Sequence, residues 1–193
     1  MRLHMTASQT VGPFLHIGMD GLNNDNLAAD GVTGERIGIA GRLYDGDGKP
    51  VSDGVIEIWQ ANAHGRYAHP EDARPLPLEP NFTGFGRIPT DENGQFSFMT
   101  VKPGSVPGPD GTPQAPHIVV SVFARGLIKR LVTRIYFPDD PANAGDPVLA
   151  LVPAERRGTL IARHIDGRDG ALEWNILIQG DWHGQGETVF FDV

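Results

Sequence analysis

Short apolar, β-branched runs cut apart by glycine and proline constrain this chain more than anything else in it. Glycine contributes 25 and proline 16 of the 193 residues, scattered rather than periodic. Proline removes a ladder donor and glycine costs backbone entropy, so neither suits the interior of long regular elements. A chain punctuated this often builds many short strands joined by turns. Strand character covers 36–44, 54–60, 95–100, 117–125, 130–137, 172–179 and 187–191, with the turn signals DGDGKP at 45–50 and DENG at 91–94. The expected fold class is mainly β, an antiparallel β-sandwich with one short helix and long loops.

That helix is expected over PAERRGTLIARH at 153–164, with proline in its first turn, Glu155 early and basic residues late, as the helix dipole favours. It would cover an end of the sandwich. Residues 101–116, VKPGSVPGPDGTPQAP, carry five prolines, too many for a strand ladder, and read as a loop leading to the strand at 117. No internal repeat or boundary interrupts the pattern, and 193 residues suffice for one core burying roughly 70% of the unfolded surface, so a single domain over 1–193 is expected.

Composition removes several classes of function. Lys and Arg total 16 against 24 Asp and Glu, a net charge of −8 without extended basic clusters, which argues against a nucleic-acid partner. The absence of cysteine removes disulfides, thiolate metal sites and a cysteine nucleophile. MRLHMTASQTVGPF lacks a basic start followed by an apolar run, and no stretch approaches the roughly 18 apolar residues of a membrane span. A soluble, cytoplasmic protein is expected. A Gly-x-Ser-x-Gly elbow, a P-loop and a Rossmann glycine pattern are all missing.

Chemistry-bearing residues are few. In QAPHIVVSVF at 114–123, alternation puts His117, Val119, Ser121 and Phe123 on one face. A His-x-His pair there would aim two imidazoles at one point, but an isopropyl group at Val119 offers no lone pair. IWQANAHGRYAH at 58–69 runs from a strand into a turn exposing Tyr67 between His64 and His69. Tyr44 and Tyr136 fall inside strand patterns as packing residues, which leaves Tyr67 as the loop phenol free to act as ligand, acid or donor. His64, His69, His117 and Tyr67 could make a mixed nitrogen–oxygen site for iron, zinc or copper; equally, each fits a structural role. Arg134, in LVTRIYF, is either a snorkelling edge arginine or an anion clamp.

Together, SQTVGPF, GRLYDGDGKPVSDGVIEIWQANAHGRYAHP, NFTGFGRIPTDENGQFSFMTVKPG, APHIVVSVFARG, LVTRIYF and GETVFFDV resemble the intradiol ring-cleaving dioxygenases, from about Thr10 to Val193. The resemblance is to the α chain of a two-chain member, both of whose subunits share a β-sandwich fold. Catalytic chains of that family hold non-haem Fe(III) with two tyrosines and two histidines. By resemblance, Tyr67 and His117 match the first of each kind, whereas the second tyrosine position is Val106 and the second histidine position is Val119. An arginine ahead of the Pro-Ala-His segment corresponds here to Gln114.

The resemblance therefore implies a subunit with no catalytic residue and no metal of its own. Tyr67, Val106, His117 and Val119 become vestigial ligand positions, and Fe(III) is bound by the partner β chain. It implies that residues 1–13 form an arm reaching the partner, and that Thr10, Gly12, Pro13 and Arg134 contribute to the substrate pocket. Arg134 either faces the carboxylated substrate or fills the vacated pocket of its own chain. The implied reaction is cleavage of 3,4-dihydroxybenzoate by O₂ to 3-carboxy-cis,cis-muconate, part of aromatic catabolism through the β-ketoadipate pathway, in a hetero-oligomer of αβ units with no nucleic-acid or membrane partner. Two alternatives remain: a stand-alone β-sandwich binding module, and a homomeric intradiol enzyme that recruits His64 or His69 as a ligand.

Overall fold

Alternation of buried and exposed residues builds the two central sheets of the computed structural model, which describes residues 5–182 and 184–192. The helix α1 (Pro13–Met19) is followed by β1 (Arg36–Tyr44), β2 (Val55–Trp59), β3 (Phe85–Pro89) and β4 (Gln95–Val101). Then come β5 (Val106–Pro107), β6 (Pro113–Gln114), β7 (His117–Phe123) and β8 (Leu131–Tyr136). The short strands β9 (Arg163–His164), β10 (Ala171–Glu173), β11 (Ile176–Leu177), β12 (Asp181–Trp182) and β13 (Gln185–Gly186) complete the order.

One sheet has the order β3-β2-β7-β8 and is antiparallel throughout. The other is built around β1, which pairs with β4 antiparallel along one edge and with β10 and β11 parallel along the other, β9 lying outside β10. Period-2 alternation turns Ile56, Ile58, Ile118, Val120, Val122 and Ile135 of the first sheet inward against Ile37, Ile39, Phe96, Phe98 and Ile176 of the second. Each such side chain contributes about 1.5–3 kcal/mol by leaving water. A smaller cluster of Ala115, Tyr136, Leu149, Val152, Leu160 and Val189 packs separately.

The mainly β, sandwich-type architecture expected from the sequence is present, and the departures have local causes. The run at 172–179 is not one strand: at Trp174 and Asn175 it breaks into β10 and β11. The Trp174 carbonyl lies so close to Gly41 that a Cβ there would sit 1.8 Å from its oxygen. Asn175 Oδ1 accepts the Arg42 N–H at 2.9 Å where a ladder partner would otherwise do so. Residues 187–190 lie outside any ladder, although Phe191 bridges Val132. β3 was hidden by Gly86 and Pro89, yet Gly86 sits where Leu27, Ile58 and the Asn24 carbonyl leave no room for a Cβ.

The helix expected at 153–164 is a 3₁₀ segment over Ala154–Leu160. Gly158 weakens it, and the Tyr136 carbonyl then captures the Ala162 N–H at 3.0 Å, pulling the chain extended toward β9. The α-helix lies instead at Pro13–Met19, beginning at the proline expected to end the N-terminal arm, with Gly12 as N-cap. The loop at 101–116 also holds a ladder: β5 and β6 pair Val106 with Gln114. Residues 1–4 of the arm lie outside the described residues.

Candidate functional site

Tyr67 is held by a loop that β2 feeds directly. At the strand's end the buried Gln60 donates to the Val101 carbonyl at 2.9 Å and accepts from Thr100 Oγ1 at 2.8 Å. Two residues on, Asn62 Oδ1 accepts from the His64 and Arg66 N–H groups, each at 3.0 Å, which closes the turn. Gly65 completes it at φ +77°, packed on the Ser105 carbonyl where no side chain fits. The Tyr67 N–H then donates to Asp72 Oδ2 at 2.8 Å, while Arg74 grips the same carboxylate at 2.7 and 2.6 Å. That pairing holds the Asp72 carboxyl well below its usual range. The phenol ring stacks on Trp59, centroids 5.7 Å apart and nearly parallel.

Sheet register decides what stands beside it. Trp59 pairs with Val119, and Val119 pairs with Arg134, so the three form one row across β2, β7 and β8 on the face away from the core. His117 and Tyr136 pair in the next row of that face. Arg134 thus stands directly opposite Val119, the position where the resemblance puts a second histidine in catalytic chains. Its Nη1 donates to Gln114 Oε1 at 2.8 Å and to the Tyr136 hydroxyl at 3.3 Å. Tyr136 donates in turn to the buried Asp146 at 3.0 Å, which also accepts from the backbone N–H groups of Ala115, Val148 and Leu149. A guanidinium and its hydrogen-bonded scaffold occupy the heart of this face.

That charge and the burial set the local acid–base chemistry. Burial, with Arg134 adding to it, lowers the His117 pKa to about 4. The ring is therefore neutral at pH 7, and because its Nδ1 donates to the Ala115 carbonyl at 2.7 Å, Nε2 carries the lone pair. Burial raises the Tyr67 and Tyr136 phenols against the opposing pull of Arg134. Both remain protonated at neutral pH. Val106 is buried and Val119 half-buried, and neither can donate to a metal. One neutral imidazole and one phenol beside a fixed cation do not fit Fe(III), which needs hard anionic oxygen donors and is repelled by a neighbouring guanidinium. Among the described residues no group of three or more His, Asp or Glu could hold a metal ion. His64 lies apart, 3.6 Å from Glu79, and His69 meets Trp59 edge-on at a 6.5 Å centroid distance.

The remaining expected site residues are elsewhere. Thr10 Oγ1 accepts the Gly126 N–H at 2.8 Å, which ties the arm to the turn between β7 and β8. The Arg134 row crosses β7 at Val119, so four residue steps of strand to Phe123, about 13 Å, and then the turn itself separate the Thr10 anchor from that row. The backbone of Pro13 opens α1, and its side chain lies outside the described residues. Sequence reasoning missed Trp59, Asp72 and Asp146, whose roles depend on partners distant in the chain; the Asn62 turn alone had a local signal.

The family model described as Dioxygenase matches residues 14–180. The chain belongs to the intradiol dioxygenase family. It is 44% identical to a protocatechuate 3,4-dioxygenase alpha chain of Pseudomonas putida over 97% of this chain and 96% of that one, and 40% identical to the Burkholderia cepacia alpha chain over 99% and 98%. The beta chain of the Burkholderia cepacia enzyme is 43% identical over 76% of this chain and 66% of its own. Among solved structures, hydroxyquinol 1,2-dioxygenase from Pseudomonas putida DLL-E4 superposes with a TM-score of 0.63 at 23% identity, covering 91% of this chain and 68% of that one. This intradiol fold is therefore shared well beyond the proteins with alpha-chain sequences. No helix among the described residues is long and apolar enough to cross a membrane.

Proposed function

We propose that this chain is the alpha subunit of protocatechuate 3,4-dioxygenase, which with a beta chain opens 3,4-dihydroxybenzoate between its hydroxyl-bearing carbons using O₂ to give 3-carboxy-cis,cis-muconate. The observation that carries the reading is near full-length similarity to alpha chains combined with a cleft whose donor set does not fit iron. The Fe(III) cofactor, which activates the catechol for oxygen, belongs in this reading to the beta chain. This chain's part is to shape the pocket: Thr10, anchored on Gly126, fixes where the arm leaves the sandwich, and Gly12 and Pro13 form wall backbone.

The surface beyond the arm supports a protein partner. Phe14, Ile17 and Leu22 are 82, 62 and 60% exposed in and just after α1, an apolar patch that water disfavours and a beta chain would cover. Placement in a cytoplasmic pathway of aromatic catabolism, the β-ketoadipate pathway, follows from the same reading. The test is co-production with a beta chain: oxygen uptake with 3,4-dihydroxybenzoate is expected from the joint product and not from this chain alone. No copurifying partner and no activity in the mixture would instead favour a stand-alone binding module.

A further inference from the structure

We propose that Lys129 and Arg130 draw the anionic substrate toward the pocket mouth, raising its association rate without contacting it once bound. The inference rests on the αβ reading above and goes beyond it, from the residues that wall the pocket to how an anion reaches that pocket past an acidic subunit.

The turn between β7 and β8, written RGLIKR at 125–130, gathers three basic side chains in a protein whose net charge is −8. One of them is neutralised, because Arg125 Nε lies 2.7 Å from Asp53 Oδ2. Lys129 and Arg130 are exposed, and neither is paired with a carboxylate among the described residues. Both line a groove of about 120 Å³ together with Gln9 and Val11 of the arm. Between those two arm residues, Thr10 accepts the Gly126 N–H at 2.8 Å. The arm is thus clamped onto the cationic turn, and the wall backbone of Gly12 and Pro13 follows within three residues of that bond, at most about 10 Å of chain. A carboxylate approaching an acidic protein is repelled at long range, and unpaired cations beside the opening reverse the local potential there. The distances involved compare with the Debye length, about 8 Å at physiological salt and about 30 Å at 0.01 M, so the attraction is strong in dilute buffer and fades as salt is added.

The test is rapid anaerobic mixing of the αβ complex with 3,4-dihydroxybenzoate, followed by the change in visible absorbance on binding, beside 3,4-dihydroxybenzamide, which keeps the shape and loses the charge. In about 0.01 M salt, Lys129→Gln with Arg130→Gln should slow association of the acid about threefold, the size expected of two unit charges about 12 Å from an anion in water. Dissociation of the acid and both rates for the amide should stay as they are, and variant and wild type should converge in about 0.5 M salt. Exchanging the pair, Lys129→Arg with Arg130→Lys, should restore the rate, because only charge is required. Equal association rates for the acid in dilute buffer, or an equal slowing of the amide, overturns the inference while the αβ reading stands. A folded joint product that binds neither compound overturns the αβ reading and this inference with it.

Discussion

His117 is a histidine that the fold keeps neutral. Tyr136 faces it from β8 with Asp146 behind, Arg134 stands in the neighbouring row of the same face, and burial outweighs the help His117 gets from the Ala115 carbonyl. Its folded pKa, about 4, lies below the unfolded value near 6.5, so between these pH values the unfolded chain binds the extra proton. Stability from this group is complete above pH 6.5 and falls as pH drops toward 4, by an amount on the order of 3 kcal/mol. Urea titrations from pH 7 to 4 should show that loss, and His117→Gln should remove much of it; an unchanged slope in the variant would mean that other groups carry the acid sensitivity. The sequence showed His117 alone on its strand face and Val119 without a lone pair. It could not show that Arg134 faces Val119, because that depends on register between two strands.

Among the elements, β1 ties the second sheet together and Gly41 is its tightest point. Adding a methyl group there forces the Trp174 carbonyl away and breaks the junction between β10 and β11. Gly41→Ala should cost about 3 kcal/mol or more, read as a lower urea midpoint with an unchanged slope. Elements with clean alternation, β1, β4, β7 and β8, were legible in the sequence almost residue for residue. Those that depend on distant partners were not: β3 is disguised by Gly86 and Pro89, and the break at Trp174 is set by a glycine more than a hundred residues away. At the N-terminus a lone proline and glycine obscured α1. Its exposed Phe14 and Ile17 lead to a separate prediction: Phe14→Ser with Ile17→Ser should weaken association with a beta chain tenfold or more and leave the fold's melting temperature unchanged. Equal affinity in an equilibrium sedimentation assay would remove α1 from the interface.

For the whole molecule, a sandwich of ordinary construction carries two surfaces at opposite ends of β7. One end anchors the arm at Gly126, and the other gathers Tyr67, His117 and Arg134. Deleting residues 1–13 should therefore leave the sandwich folded while raising KM or lowering kcat of the αβ enzyme; unchanged steady-state constants would rule out a pocket role for the arm. How the residues of the cleft come together was not legible, since strands and loops from 59 to 146 converge on it, but the two valines that deny it a metal were visible at once. The central claim is that this subunit carries the family's fold without its iron. Iron content and visible absorbance of the purified full chain, beside those of the αβ complex, test it most directly. The isolated chain should be colourless and essentially iron-free, with the tyrosinate-to-Fe(III) band appearing only in the complex; a red-brown isolated chain with stoichiometric iron would contradict the account.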